Sequence, residues 1–494
     1  MFLDGDSFAD GTELTADIAI VGAGPAGVAL AARLGSDVGR VLVLESGGPT
    51  PTRDHDLARG FIDRPYYDLP ETRLRGLGGS SANWGGWCER LRPADVMQRS
   101  WIPRSGWPLP YPDLVDYYGP AEEFCGIPKD FAMERIWSPG GRETPTLQAF
   151  DHVVFPVLGR RNLGARHRAI FDASNVDLIT HATTTQIVVG GGGRRADRLV
   201  VRGPAGVTIH VVARTFVLAA GGIENPRLLL HSTSAAWPDG VGNGSGFVGR
   251  CFMEHPHVDA VRIDGTPRGD LDLSYFGEWD PPVPFPGPVR VNGALTLSDS
   301  TCAAEGVGRA QVFIESAGFH LDPSRPTIRR GRQVFAPRYT APAHNELAVV
   351  VVSEQVPDPD SRVALSDVRD GNGVPLPVLQ WRLNDLDHRT VRVAARHSKH
   401  VLAELGLTKA RTRFVRGQWL LDTLGGPHHL GTTRMTQSDD DGVVDADCRV
   451  HHMSNLFIAG GSVFPTSGYA PPTLTIIAVA MRLADHLKAD STGR

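Results

Sequence analysis

Two adjacent histidines, His428 and His429, sit in the stretch GGPHHLGTTRM (425–435). A neutral imidazole near pH 7 can take a proton from a hydroxyl, so this pair is a candidate for general-base chemistry. It is a poor metal motif, because neighbouring side chains in an extended segment point to opposite sides. A second chemistry lies near the N-terminus, where Gly22, Gly24 and Gly27 of VGAGPAG form G-x-G-x-x-G. They stand between an apolar, β-branched run, Ala16–Gly22, and a helical pattern, Pro25–Gly35. Glycines there permit a tight turn and close backbone approach to a pyrophosphate, whose charge the helix N-terminus stabilises. A second apolar run, Arg40–Gly48, carries Glu45 where an acid should hold a ribose hydroxyl. Strand, turn, helix, strand and acid together predict a dinucleotide-binding βαβ unit.

A third stretch, RLRGLGGSSANWGGWCERL (73–91), packs five glycines and two tryptophans into nineteen residues. It is too rich in glycine for a helix or a central strand and too rich in tryptophan for a flexible linker. The backbone there must come close to something. Further along, LITHATTTQIVVG (178–190) and RLVVRGPAGVTIHVVARTFVLAAGG (198–222) read as strands, the second with a hairpin. TFVLAAGGIENPRLLLHS (215–232) is another strand, glycine turn and helix. Residues 256–380 alternate like antiparallel strands, 385–406 form an amphipathic helix, and 473–487 a mostly apolar one.

The totals set outer bounds. With 494 residues, 41% hydrophobic and 21% charged, the chain is long enough for two domains with sizeable cores. A net charge of −5 does not point to nucleic acid as a partner. Five scattered cysteines without a CxxC pair predict reduced thiols in a cytoplasmic protein. No signal peptide is expected from the first residues, and no apolar run is long enough for a membrane span.

A cofactor held by segments two hundred residues apart suits FAD better than a detachable NAD, although spacing alone does not decide. The chain resembles the glucose–methanol–choline (GMC) family of FAD-dependent oxidoreductases over nearly its whole length. The resemblance is carried by DIAIVGAGPAGVALAARL…VLVLESGG, GLGGSSANWGGWC, LAAGGIENPRLLL, FVGRCFMEHPHV, HHLGTTRM and NLFIAGGSVFPTSGYAPPTLTIIAVAMRLADHL. Within the family, SANWGGWCERLRPADV and SGWPLPYPDLVDYY are most similar to bacterial members acting on sugars and glycosides, such as pyranose oxidases and glycoside 3-oxidases.

The resemblance implies several roles. Gly78, Gly79, Ser80 and Ser81 would lie over the flavin and its diphosphate. Asn83 stands where some relatives have a flavin-linking histidine, so FAD would be bound non-covalently. Trp84, Trp87 and Gly85 would pack beside it. Thr184, Ala220, Gly221, Gly461, Ser462, Pro472 and Thr473 would complete the cofactor contacts. The helix beginning near Pro472 would direct its positive end at the flavin pyrimidine. The histidine three residues before Gly-Thr, His428, would be the base, with His429 facing away. EHPH (254–257) and His451–His452 are implied to have no metal-binding role, and the acids of 268–280 either form a solvated loop or rim the active-site entrance.

One position departs from the family pattern. Relatives place a histidine or asparagine ten residues after the glycine of the GGS turn, and here that residue is Pro471. Proline offers no side-chain donor or acceptor and no N–H. Tyr469, His429 or a residue of the substrate domain could replace the missing group, the substrate could supply it, or alcohol oxidation could be lost.

The resemblance thus implies an α/β protein with two parts. A Rossmann-like FAD-binding domain would come from 1–95, 176–255 and 425–494. An antiparallel-sheet α+β substrate domain would come from 96–175 and 256–424. The implied reaction is oxidation of a CH–OH group of a sugar, glycoside or polyol, with hydride passing to flavin N5 and on to O2 or another acceptor. The alternatives are oxidation of an aminocyclitol, amino-sugar or other natural-product alcohol, and a flavin-binding protein that no longer oxidises alcohols.

Overall fold

The computed structural model describes residues 1–63, 66–129, 147–159, 162–264, 278–279, 289–316, 346–404, 407–415, 418–419 and 426–492. The expected acidic loop at 268–280 lies, apart from Glu278–Trp279, outside the described residues.

The first sheet has eight strands. Its centre is β2 (Thr12–Val21), flanked by β3 (Val41–Leu44) and β8 (Thr208–Leu218), both parallel to it. Ile18–Val21 and Val41–Leu44 are wholly buried, as the unbroken apolar runs require for strands covered on both faces. Outward from β3 lie β5 (Val176–Thr180) and β1 (Phe2–Asp4), also parallel. Outward from β8, the antiparallel hairpin β6 (Thr183–Val189) and β7 (Ala196–Arg202) extends the sheet. A last strand, β15 (Leu456–Ile458), pairs in parallel with the end of β8. Three distant stretches of chain therefore bring their strand ends to one edge. The helices α1 (Pro25–Leu34) and α4 (Thr473–Thr492) pack together on this sheet's core.

The second sheet is antiparallel and has seven strands. Its main strands are β4 (Phe150–Leu158), β9 (His257–Asp264), β10 (Val289–Leu297), β11 (Ala310–Ser316) and β12 (Glu346–Ser353). Period-two alternation divides it into two faces. Val258, Leu295, Val312, Val349 and Val351 form a core with Val391, Ala394 and Leu402 of α3 (Asp385–Glu404). Phe155, Phe313, Val350 and Val352 instead join the core of the first sheet. A small sheet of β13 (Arg362–Arg369), β14 (Pro375–Gln380) and Phe61–Ile62 sits on a third cluster containing Ile223, Phe252 and Trp381.

The helix α2 (Tyr118–Cys125) packs on α4, with the Tyr118 hydroxyl 2.9 Å from Thr475 Oγ1. Cys88, Cys125, Cys251, Cys302 and Cys448 are all buried and unpaired. No helix among the described residues is long and apolar enough to cross a membrane.

Candidate active site

The segment after His429 is held on both sides by backbone hydrogen bonds. On one side, Met253 N–H donates to Leu430 O (3.0 Å) and Leu430 N–H to Met253 O (3.1 Å). On the other, Gly431, Thr433 and Met435 donate to Gly461, Ser462 and Val463 at 3.1, 2.8 and 2.8 Å. Side chains lace the same turns together. Thr432 Oγ1 donates to Gly222 O (2.7 Å), Thr433 Oγ1 to Ser462 Oγ (2.8 Å) and Asn225 Nδ2 to Ser462 Oγ (3.0 Å). Gly431 has φ +82°, and a Cβ there would meet Cys251 O at 2.3 Å. The Gly-Thr-Thr spacing thus locks this strip to two glycine turns at the edge of the first sheet.

The register of that strip decides what meets His428. Met253 pairs antiparallel with Leu430. Two residues beyond Met253 therefore stand opposite two residues before Leu430, and these are His255 and His428. Their Nδ1 atoms lie 2.7 Å apart, and His255 Nε2 lies 2.9 Å from Gly468 O. Glu254, fully buried, receives the His428 N–H on both carboxylate oxygens (2.7 and 2.9 Å), the His255 N–H (2.9 Å) and the Tyr66 hydroxyl (2.5 Å). Burial raises the Glu254 pKa to about 7 against the pull of these donors. Burial, followed by the charges of His255, His257 and His429, holds His428 well below the usual histidine value. His428 is neutral at pH 7 and can accept a proton. No hydrogen bond joins its Nε2 to a described residue. A Cβ on Gly426 would come 3.0 Å from that atom.

In the sequence, EHPH carries only the expectation of no metal-binding role, and nothing there singles out His255 or Glu254 as partners of His428. Their partnership with His428 is set by pairing across more than 170 residues, which no local pattern carries. His429 lies between the rings of Tyr66 and Phe252, at 6.2 and 5.7 Å between centroids, so the two neighbouring histidines do point apart. Burial and the Arg73 charge lower its pKa to about 3.

Tyr469, expected as a candidate substitute at the Pro471 position, is engaged elsewhere. Its ring is 1% exposed and lies 5.5 Å from the guanidinium carbons of both Arg92 and Arg309. Its carbonyl accepts from Gln311 Nε2 (2.7 Å), and none of its described partners is His428. The described side chain that does meet His428 is His255, which stands two residues before β9 begins at His257. Pro471 is half-buried, and the helix after it starts at Thr473, with Ile476 N–H donating to Pro472 O (2.8 Å).

The glycine turns form a cradle. A Cβ on Gly27 would lie 1.9 Å from Gly22 O, so the start of α1 and the end of β2 touch through backbone alone. Gly22 has φ +103° and packs on Ala219. Gly24 instead faces open space within 4 Å. The third glycine-rich stretch folds onto this turn: Gly78 N–H donates to Ala23 O (2.8 Å), and a Cβ on Gly79 would meet Gly24 Cα at 3.1 Å. Ser80 and Asn83 belong to the short turn that follows, where Asn83 N–H donates to Ser80 O (3.0 Å). Gly221 has φ +86° and open space beside it, and Thr184 Oγ1 is buried without a partner among the described residues. Glu45 stands at the end of β3 as expected. Its carboxylate receives the N–H groups of Ala23, Gly47 and Gly76, each at 2.8 Å, so it also organises the turn.

Ligand-type atoms of Glu254, His255 and His428 lie within 4.8 Å of one another. The imidazole spacing is nevertheless that of a hydrogen bond. Two nitrogens sharing a tetrahedral ion stand roughly 3.4 Å apart.

Family models described as GMC oxidoreductase match residues 160–257 and 357–480. The chain belongs to the GMC oxidoreductase family. It is 24% identical to the fructose dehydrogenase large subunit of Gluconobacter japonicus, over 97% of this chain and 98% of that one. It is 27% identical to paromamine 6'-oxidase of Streptomyces fradiae, over 97% and 92%. The structure of pyridoxine 4-oxidase from Mesorbium loti superposes with a TM-score of 0.58 at 19% identity, covering 95% and 99% of the two chains.

As a GMC oxidoreductase the chain is an enzyme whose cofactor is FAD. The residues present fit that group. The open side of Gly24, the glycines stacked on it, the space at Gly221 and the orphaned Thr184 hydroxyl make a cradle that a dinucleotide would fill.

Proposed function

We propose that this GMC oxidoreductase oxidises a CH–OH group of a sugar, glycoside or related polyol, with His428 as the base. The observation that carries the reading is the neutral His428 ring on a strip tied to the glycine turns, with Nε2 unbonded among the described residues. FAD, held non-covalently, supplies the hydride acceptor. Gly22, Gly24, Gly27, Glu45 and Gly78–Ser80 hold its diphosphate and ribose side. Asn83, Trp84, Gly85, Thr184, Ala220, Gly221, Gly461, Ser462, Pro472 and Thr473 complete the pocket. The positive end of α4 favours negative charge beside Thr473.

His428 Nε2 accepts the hydroxyl proton as the carbinol carbon loses hydride. Glu254 fixes the His428 backbone, and His257, at the start of β9, disfavours charge on the His428 ring. The FAD-binding unit is assigned to 1–95, 176–255 and 425–494, and the substrate unit to 96–175 and 256–424. Five buried unpaired cysteines support a reducing, cytoplasmic compartment.

The likeness to paromamine 6'-oxidase favours a second substrate reading, an amino-sugar or aminocyclitol alcohol. Incubation with a panel of sugars, glycosides and amino-sugars, followed by mass spectrometry, tests both. The expected product has lost two hydrogens from one class only. A panel returned unchanged, with FAD bound, contradicts the reading.

A further inference from the structure

We infer that His255 is a positioning residue that fixes His428 in the tautomer carrying hydrogen on Nδ1, leaving the Nε2 lone pair free for the substrate hydroxyl. The inference rests on the reading of His428 as the base and names the device that sets its tautomer.

The argument is one of donors and acceptors. His255 Nε2 lies 2.9 Å from Gly468 O. A carbonyl only accepts, so this nitrogen carries a hydrogen. Burial disfavours a charged His255, and a neutral imidazole has a single N–H. His255 Nδ1 is therefore a lone pair. It faces His428 Nδ1 at 2.7 Å, a distance that two lone pairs do not share, so His428 Nδ1 is the donor. A neutral His428 then has its Nε2 unprotonated.

The surroundings keep the two rings in this relation. Glu254 receives the backbone N–H of both histidines, so one carboxylate sets both backbones. Other titratable groups acting on the pair are His257 and His429, which disfavour charge on His428, and Glu354, which acts on His255. Once Nε2 takes a proton, the bond from His428 Nδ1 becomes charge-assisted and stronger. The chain ends on the Gly468 carbonyl, which passes no proton on. His255 therefore orients and stabilises the base and does not relay its proton.

The test is the nitrogen spectrum of the FAD-loaded enzyme labelled with 15N-histidine, with His428 signals assigned by their loss in H428N. The wild type should show His428 with Nδ1 protonated and Nε2 unprotonated. H255F keeps an aromatic ring but removes the acceptor. It should populate the Nε2–H form of His428 and lower kcat by about 10–100-fold, with KM little changed. In H255N the Oδ1 atom can accept from His428 Nδ1, so the tautomer and most of the rate should return.

A wild-type His428 with hydrogen on Nε2 overturns the inference. So does H255F with Nε2 still unprotonated and wild-type kcat. If H255F does not fold, the wild-type and H255N spectra decide the matter. The base reading fails separately, through an H428N enzyme that turns over at the wild-type rate, and the resting-state spectrum does not depend on it.

Discussion

The imidazoles of His255 and His428 meet Nδ1 to Nδ1 at 2.7 Å, although 173 residues separate them in the chain. One antiparallel bridge, Met253 to Leu430, brings them together, and one buried carboxylate, Glu254, holds both backbones. The site is thus a seam between the strip that follows His429 and the segment that leads into the second sheet.

The first prediction concerns the base. Replacing His428 with Asn removes the proton acceptor without opening the glycine cradle. Flavin content and melting temperature should stay near wild type, while kcat falls by about 10²–10⁴-fold. Stopped-flow reduction and a flavin absorbance ratio check both halves.

A second prediction uses Gly426. A Cβ there would stand 3.0 Å from both Cε1 and Nε2 of His428, so Gly426→Ala should crowd the basic nitrogen and shift the ring. Misplacement of a reacting group by a fraction of an ångström to an ångström costs up to about 100-fold in rate. Kinetics should show that loss with the melting temperature unchanged. Wild-type kinetics would show that the ring does not work from this position.

A third prediction separates the two kinds of glycine in the first turn. Gly27→Ala would bring Cβ to 1.9 Å from a backbone oxygen, so the chain itself should be destabilised, by about 1–3 kcal/mol or more. Gly24→Ala meets nothing within 4 Å. Its apoprotein should melt like wild type, yet bind FAD more weakly, as the proposed placement of the cofactor beside Gly24 requires. Calorimetry on apoprotein and FAD titration would distinguish them. Unchanged FAD affinity in Gly24→Ala would place the diphosphate elsewhere.

These glycines also show how much was legible in the sequence. Gly22, Gly24, Gly27 and Glu45 fall in one βαβ unit, where spacing along the chain is spacing in space. The chain reads the same way at LAAGGIENP and at the helix after Pro472. His255 and Glu254 were not legible, because their role comes from a backbone bridge between distant segments. The surroundings of Tyr469 were not legible for a related reason. Its nearness to Pro471 in sequence suggested a role beside His428, but its ring is committed to Arg92 and Arg309.

A fourth prediction follows from Glu254. Its pKa rises from 4.5 to about 7 on folding, chiefly by burial. Between those values the folded chain keeps a proton that the unfolded chain has released. This contribution to stability is therefore complete below pH 4.5 and is lost as pH rises through about 7. Glu254→Gln should flatten the fall in melting temperature across that window. Glu254→Ala leaves the N–H groups of His255 and His428 and the Tyr66 hydroxyl without a buried acceptor. It should be strongly destabilised, at about 1–3 kcal/mol per unsatisfied group.

The central claim is tested most directly by the visible spectrum of the FAD-loaded enzyme, recorded anaerobically before and after adding sugars, glycosides and amino-sugars. The account predicts bleaching of the flavin band by one of these classes, and slower bleaching in H428N. A flavin that dithionite reduces but every such alcohol leaves oxidised would contradict it.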